Sequence, residues 1–173
     1  EWVSKGKAGV PVELGVRVCV MSDQHGFILH HRVMERCTDD AVAVPMVRDA
    51  RERYPELRAV SMDKGFHSPR NQSELREIVE TVVLPKKGRR TKAEAAREAD
   101  PEFVHLRRTH AAVESAINAL EVHGLDRCRD HGIEGFQRYT GLSVLGRNVQ
   151  HLGAMLLRRD REALARRRPR PKA

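Results

Sequence analysis

The pattern of apolar and polar positions predicts two strands near the start of the chain. The run LGVRVCVM at Leu14–Met21 is apolar and β-branched, and GFILHHRVM at Gly26–Met34 follows it after a short turn that ends in glycine. Two strands joined by such a turn form an antiparallel hairpin. Residues 1–13 hold few side chains that can pack, and we interpret them as an irregular arm.

Helices and strands alternate in the next part of the chain. Apolar residues at helical spacing follow the cap candidates Thr38–Asp40 and predict a helix that ends before Pro55. The run LRAVSM at Leu57–Met62 predicts a short buried strand. A second helix begins after Ser68 with proline at its first position, and a further strand follows at Thr81–Leu84.

A polar loop and two long helices complete the pattern. Residues Pro85–Asp100 are polar and mixed in charge, and we interpret them as a loop with a short helix at Lys92–Glu98. Helical spacing then predicts long helices over Phe103–Val122 and Phe136–Arg159. The order β-β-α-β-α-β-α-α predicts a mixed α/β sheet covered by helices.

Composition and charge narrow the class of protein. The 173 residues are enough for one domain with its own core, and the low aromatic content of 4% leaves that core to aliphatic side chains. No apolar run approaches the roughly 18 residues of a spanning helix, and no signal peptide is recognisable, so we expect a cytoplasmic protein with no membrane partner. The three cysteines are widely spaced, which argues against a disulfide framework or a structural zinc site.

Positive charge is concentrated at the end of the chain. The net charge is +8, and residues 158–173 hold eight basic and two acidic side chains. We interpret these residues as a disordered basic tail. Such a tail is either simply solvated or contacts nucleic acid through counterion release.

Two carboxylates occupy positions where catalytic groups are common. Asp63 comes where a predicted apolar strand ends and shortly before Gly65, and active-site groups of α/β sheets favour the carboxyl ends of strands. Glu114 lies at the border of the apolar stripe of helix Phe103–Val122, from which a carboxylate can reach the rim of the sheet. The alternatives are a capping role for Asp63 and a solvated Glu114.

Convergent carboxylates repel one another and therefore need a cation. Hard oxygen ligands with open coordination suit Mg²⁺ or Mn²⁺. Two such ions can activate a water and stabilise the leaving oxygen of a phosphodiester. The basic side chains that would hold the polyanion are Lys64, Lys86, Lys87, Arg89, Arg90 and Arg107. No phosphate-binding glycine-rich motif competes with this interpretation, which favours phosphoryl transfer on nucleic acid.

Four segments carry a resemblance to a known family. They are WVSKGKAGVPVELGVRV from residue 2, DKGFHSPRNQSEL from residue 63, VLPKKGR from residue 83, and LRRTHAAVESAINALEVHGLDRCRDHGIEGF from residue 106. Together they resemble the DDE-type insertion-sequence transposases, whose catalytic core is RNase H-like, over residues 2–157. The resemblance implies metal-dependent DNA cleavage and strand transfer at the ends of the element, with Asp63 and Glu114 as ligands of Mg²⁺ or Mn²⁺. It further implies transposon-end and target DNA as partners, a homo-oligomer on DNA, and a bacterial, nucleoid-associated location.

The sequence departs from the family pattern in two places. An RNase H-like core has three antiparallel strands before its first helix, with the first catalytic Asp on the first of them, whereas this sequence predicts two. We therefore expect residues 14–157 to form a partial RNase H-like domain, a mixed sheet flanked by helices that lacks the first core strand, and we expect that strand upstream of Glu1. In the Y-x2-R-x3-E-x6-K signature Glu114 keeps its type, and Arg107 and His110 are expected to substitute for the usual DNA contacts.

Two other functions stay open at this point. One is a nuclease of the same fold that hydrolyses DNA without strand transfer. The other is an inactive DNA-binding remnant of a transposase. Because the first Asp is expected upstream, we expect this chain alone to bind DNA in a salt-sensitive way and to cleave it poorly.

Overall fold

The computed structural model describes residues 2–4, 12–109, 117–122 and 127–167. The chain divides into two compact units, Glu1–Ile117 and Asn118–Ala173. Its strands and helices make it a mixed α/β protein, as the order of predicted elements indicates.

Two short strands replace the predicted irregular arm. Strands β1 (Trp2–Ser4) and β2 (Val12–Leu14) pair antiparallel, with Trp2 opposite Leu14. Three-residue strands are too short to show the alternation that identifies a strand in a sequence. Four strands therefore precede the first helix where two were predicted.

The predicted hairpin is present with shorter strands. Strand β3 (Arg17–Ser22) pairs antiparallel with β4 (Ile28–Met34), and the register shifts between Met21 and Ser22. Its turn is built locally, because the Asp23 carboxylate accepts the backbone N–H of Phe27 at 2.8 Å and Gly26 adopts φ +86°. A positive φ is accessible to glycine at little steric cost.

The following elements form the centre of the first unit. They are α1 (Asp39–Arg53), β5 (Ala59–Ser61), a 3-10 turn at Lys64–Phe66, α2 (Pro69–Ile78) and β6 (Thr81–Val83). Strands β5 and β6 run parallel, with Val60 opposite Val82. The start of α2 is set by Ser68, whose hydroxyl accepts the backbone N–H of Asn71 at 3.1 Å. The predicted N-cap followed by a proline is therefore confirmed.

Aliphatic side chains from α1, α2 and the parallel strands form one buried cluster. Its buried members are Ala43, Val44, Val47, Val60, Met62, Leu75, Val79 and Leu84. Burial of a side chain such as Val or Leu stabilises a fold by about 1.5–3 kcal/mol relative to its exposure. The cluster therefore holds β5 firmly, and with it the residues that follow β5.

The strands do not form the single mixed sheet that the sequence predicts. Among the described residues they form three two-stranded sheets, β1–β2, β3–β4 and β5–β6. A cavity of about 500 Å³ is lined by residues of both β3 and β5. The RNase H-like sheet is thus an expectation that goes beyond the observed architecture.

Two helices complete the described part of the first unit. Helix α3 (Lys92–Glu98) begins with a capping box between Thr91 and Glu94. Helix α4 (Pro101–Thr109) follows Asp100, whose carboxylate accepts the backbone N–H of Glu102 at 2.9 Å. The long helix predicted over Phe103–Val122 is described as far as Thr109, and residues 117–122 are again helical.

The second unit contains a helix longer than predicted. Helix α5 covers Gly132–Arg167, whereas the sequence pattern ended it at Arg159 and predicted a disordered tail from residue 158. Residues 158–167 are instead helical, because Arg158 and Glu162 form an ion pair at spacing i, i+4 (3.1 Å) and alanine and leucine favour helix. Residues 168–173 of the predicted tail lie outside the described residues. No helix in the described part of the chain has a stretch long and apolar enough to cross a bilayer.

Candidate functional site

Asp63 stands at the carboxyl end of β5, as its sequence position predicts. The pairing with β6 continues through Met62, whose N–H donates to the Val83 carbonyl at 2.9 Å. The Asp63 carboxylate caps the 3-10 turn, because its Oδ1 accepts the Lys64 backbone N–H at 2.7 Å. The residue is exposed. A carboxylate offers about four lone-pair sites, so capping leaves Asp63 able to bind a further ligand.

A buried amide holds the turn that carries Asp63. Asn71 is 6% exposed, and its Nδ2 donates to the carbonyls of Phe66 at 2.9 Å and Asp40 at 2.7 Å. The first bond fixes the end of the turn, and the second ties it to the start of α1. The apolar pattern of the sequence does not identify Asn71, although its position three residues after the Ser68 cap marks a polar side chain near the start of a helix.

A second carboxylate lies against the same turn. A Cβ atom added to Gly65 would stand 3.1 Å from Asp39 Oδ2. The other oxygen of Asp39 accepts from Arg17 Nη1 at 2.9 Å, and Arg17 Nη2 donates to the Cys37 carbonyl at 2.6 Å. The sequence suggested Asp39 as a helix cap, but the N-cap is Thr38 and the charge of Asp39 is matched by Arg17. Because the Asp39 carboxylate lies so close to the backbone of residue 65, a glycine fits there better than a residue with a side chain.

The basic loop after β6 is fastened to α3 by two of its own cations. Lys86 Nζ lies 2.6 Å from Glu94 Oε1, and Arg90 Nη1 lies 3.0 Å from Glu98 Oε2. Glu98 is buried, and it also accepts the Lys86 backbone N–H at 2.7 Å. A DNA phosphate would therefore compete with carboxylates for Lys86 and Arg90, both of which the sequence analysis assigned to DNA binding.

The Lys86 ammonium also changes the acidity of its partner. Its hydrogen bond, together with the Thr91 backbone N–H, lowers the pKa of Glu94 to about 2. The Glu94 carboxylate is therefore ionised throughout the neutral range. Lys86 and Arg90 thus hold the loop against α3, and their contact with DNA stays a prediction.

The remaining predicted residues fall into two groups. The side chains that are exposed and can reach a polyanion are Lys64, Lys87, Arg89 and Arg107. Glu114 and His110 lie outside the described residues, so the convergence of Asp63 with Glu114 stays a prediction. Within the described ranges no group of three His, Cys, Asp or Glu side chains is arranged to hold a metal ion. Asp63 alone fits as one carboxylate ligand of a hard cation.

Comparisons with known proteins do not assign the chain to a family. It matches no family model, no curated protein and no solved structure.

Proposed function

We propose that the chain acts as a DDE-type transposase, which cuts DNA and transfers strands at the ends of an insertion sequence. The observation that carries the proposal is the position of Asp63, an exposed carboxylate at the carboxyl end of a buried parallel strand. The buried Asn71 and the core beneath β5 hold it in place. Such a carboxylate on a rigid support suits metal binding, because ligands must be positioned before the ion arrives.

The proposed metal ligands are Asp63 and Glu114, joined by an acid on a further strand. A bound Mg²⁺ or Mn²⁺ would supply charge stabilisation at the phosphate and an activated water. Asp63 contributes a carboxylate whose Oδ1 is already oriented by the Lys64 backbone N–H at 2.7 Å. Its remaining lone pairs are the ones offered to an ion.

The proposed DNA contacts are exposed cations that follow the parallel strands β5 and β6 in the sequence. Lys64 follows Asp63 directly, and Lys87 and Arg89 belong to the loop that α3 holds through Glu94 and Glu98. Contacts of this kind position a DNA backbone without reading its sequence. Each phosphate contact contributes to the salt dependence of binding.

A manganese titration tests the metal site without requiring catalysis. Paramagnetic Mn²⁺ should broaden the backbone amide signals of Lys64 and Gly65, and also those of residues 113–115 if Glu114 converges on Asp63. The Asp63→Asn variant should lose both effects. The matched control Glu77→Gln removes an exposed charge from α2 and should keep them. Equal broadening in Asp63→Asn and the unchanged protein would refute the metal site.

A DNA-binding titration tests the second half of the proposal. The double variant Lys87→Ala/Arg89→Ala should bind duplex DNA more weakly and with a salt slope lower by about 2. The control Arg58→Ala/Arg76→Ala removes the same charge from exposed positions, one of them before β5 and so at its opposite end from Asp63. If the two double variants lose affinity equally, DNA is held by net charge alone and the loop has no special role.

A further inference from the structure

Helix α5 of the second unit carries an apolar stripe at its surface. The side chains of this α5 stripe recur at intervals of three and four residues and are exposed by 41% to 67%: Leu142, Leu145, Val149, Leu152 and Leu156. Since successive residues are about 100° apart around a helix, the five lie within about 80° of its circumference. Intervals of three and four are the repeat of a coiled coil, in which a narrow stripe packs against another helix.

The buried side of α5 is the side opposite the stripe. Thr140, Ser143 and Val144 are buried there, centred about 170° away from the centre of the stripe. The hydroxyls of Thr140 and Ser143 donate to the carbonyls of Phe136 and Tyr139, one turn earlier in the same helix, at 2.8 Å and 2.9 Å. Packing within the unit thus uses small side chains of α5 and leaves the aliphatic side chains of the stripe at the surface. An exposed apolar surface of this kind marks an interaction site.

The α5 stripe is complementary to itself when a second copy of the helix runs antiparallel to it. With Leu145 opposite Leu156 of the second copy, Val149 lies opposite Leu152 of that copy. The twofold symmetry of such a pair repeats both contacts, because each surface patch meets its own equivalent. Most of the stripe is then covered by the same stripe of the second copy.

The charges beyond the two ends of the stripe agree with the antiparallel direction. In the same register Glu134 lies opposite Arg166 of the second copy, and Arg138 lies opposite Asp160, all four being exposed. Arg138 and Asp160 also have ion-pair partners within their own chain, at 3.1 Å and 3.6 Å, so the second copy would extend existing pairs. A parallel copy would place each of these side chains beside its own equivalent, and like charges repel.

We propose that the α5 stripe is the interface of an antiparallel homodimer. A lipid surface or a sheet engages a wider apolar face than about 80° of a helix, whereas a single second helix covers a face of this width. Apolar burial drives the association, so the dimer forms without DNA. The proposal rests on α5 alone and does not depend on the transposase chemistry proposed above.

Sedimentation equilibrium of the 173-residue protein without DNA tests the dimer. The dimer fraction should rise with protein concentration. The variant Leu145→Glu/Leu152→Glu should raise the dissociation constant about a hundredfold, because four leucine side chains per dimer lose their burial. The matched control Leu157→Glu/Leu164→Glu introduces the same charges at exposed positions of α5 outside the stripe and should change the constant little. Circular dichroism should show the same helix content in both variants.

Cysteine cross-linking tests the direction of the second helix. Under mild oxidation the variant Leu145→Cys/Leu156→Cys should form disulfide-linked dimers, because the two positions lie opposite each other in an antiparallel pair. Leu145→Cys and Leu156→Cys alone should not exceed the unchanged protein, whose own three cysteines give the background. In a parallel pair each single variant would instead link to its own equivalent.

Three results would overturn the proposal. The first is a monomer at every concentration, which would mean that the stripe is covered by its own chain or by a different partner. The second is equal weakening of the dimer by the control Leu157→Glu/Leu164→Glu, which would show that charge and not the stripe governs association. The third is efficient cross-linking of either single variant, which would show a parallel arrangement.

Discussion

Arg17 and Asp39 join the first long strand to the first helix through a 2.9 Å ion pair between Nη1 and Oδ1. The second oxygen of Asp39 then faces the turn that follows β5, at 3.1 Å from the place a Gly65 Cβ would take. One carboxylate thus fixes the hairpin to α1 and limits the size of the residue next to the candidate catalytic turn. Because both side chains are partly exposed, the ion pair itself adds little stability. Its main effect is to place the second oxygen of Asp39 next to Gly65.

We expect Gly65→Ala to destabilise the protein by about 1 kcal/mol, because Asp39 must move by a few tenths of an ångström to admit the new methyl group. Urea unfolding measures the effect. Gly15→Ala is the matched control, since a Cβ at Gly15 meets nothing within 4 Å. Adding Gly65→Ala to an Asp39→Ala background should cost nothing further. A full cost in that background would mean that Asp39 is not the neighbour responsible.

Asn71→Ala should cost about 2–3 kcal/mol, because the carbonyls of Asp40 and Phe66 lose the buried amide that donates to both of them. Exchange of the Phe66 and His67 amides should also accelerate, since the turn loses its anchor on α2. Ser73→Ala, an exposed change in the same helix, is the control and should be nearly neutral. If Asn71→Ala alters stability but leaves the turn amides unchanged, the turn is held by other contacts.

Acid should loosen the basic loop at an unusually low pH. The Lys86 ammonium lowers the pKa of Glu94 from 4.5 to about 2 in the folded protein. A carboxylate with a depressed folded pKa stabilises the fold above its unfolded pKa and loses that contribution as pH falls through the folded value. The contribution is therefore complete above about pH 4.5 and is lost towards pH 2.

The amide shift of Thr91, which donates to Glu94 Oε2 at 2.7 Å, should titrate with this low value. Glu94→Gln should abolish the titration and leave other acid transitions in place. A midpoint near the ordinary glutamate pKa of 4.5 would mean that Lys86 does not hold the carboxylate in solution.

We expect the protein to lose stability at mildly acidic pH because of two adjacent histidines on β4. Burial, with the nearby Arg53 charge contributing, lowers the pKa of both His30 and His31 below 6.5. The unfolded chain therefore takes up protons first as pH falls, and stability declines below about pH 6.5. The urea concentration at the unfolding midpoint should decrease as the pH is lowered from 7 to 5. It should decrease less steeply in His31→Asn. His105→Asn, on the exposed part of α4, should keep the original slope. An unchanged slope in His31→Asn would show that His31 does not contribute to the pH dependence of stability.

Local signals in the sequence predicted the elements better than their assembly. The Asp23–Gly26 turn and the Ser68–Pro69 cap act within a few residues, and the structure has both where the sequence placed them. Pairing between distant segments has no such signal. Neither the Lys86–Glu94 ion pair nor the separation of β3 from β5 could therefore be foreseen.

The residues of the candidate site also divide into those that a local sequence signal identifies and those that depend on contacts between separate segments. Asp63 could be identified because a strand, a carboxylate and a glycine are adjacent in the sequence. Asn71 could not, because its role depends on carbonyls that α1 and the turn bring to it. The partnership of Asp63 with Glu114 joins segments 51 positions apart and remains a prediction.

The glycines of α5 provide a matched pair of substitutions within one helix. A Cβ at Gly146 meets nothing within 4 Å, whereas a Cβ at Gly135 would stand 2.7 Å from the Asp130 carboxyl carbon. Gly146→Ala should therefore stabilise the second unit by about 1 kcal/mol, the difference in helix propensity. Gly135→Ala should destabilise it, because the Asp130 side chain, which pairs with Arg138 at 3.1 Å, would have to move. Thermal unfolding followed by circular dichroism measures both. A loss of stability in Gly146→Ala would reveal a packing partner at that position.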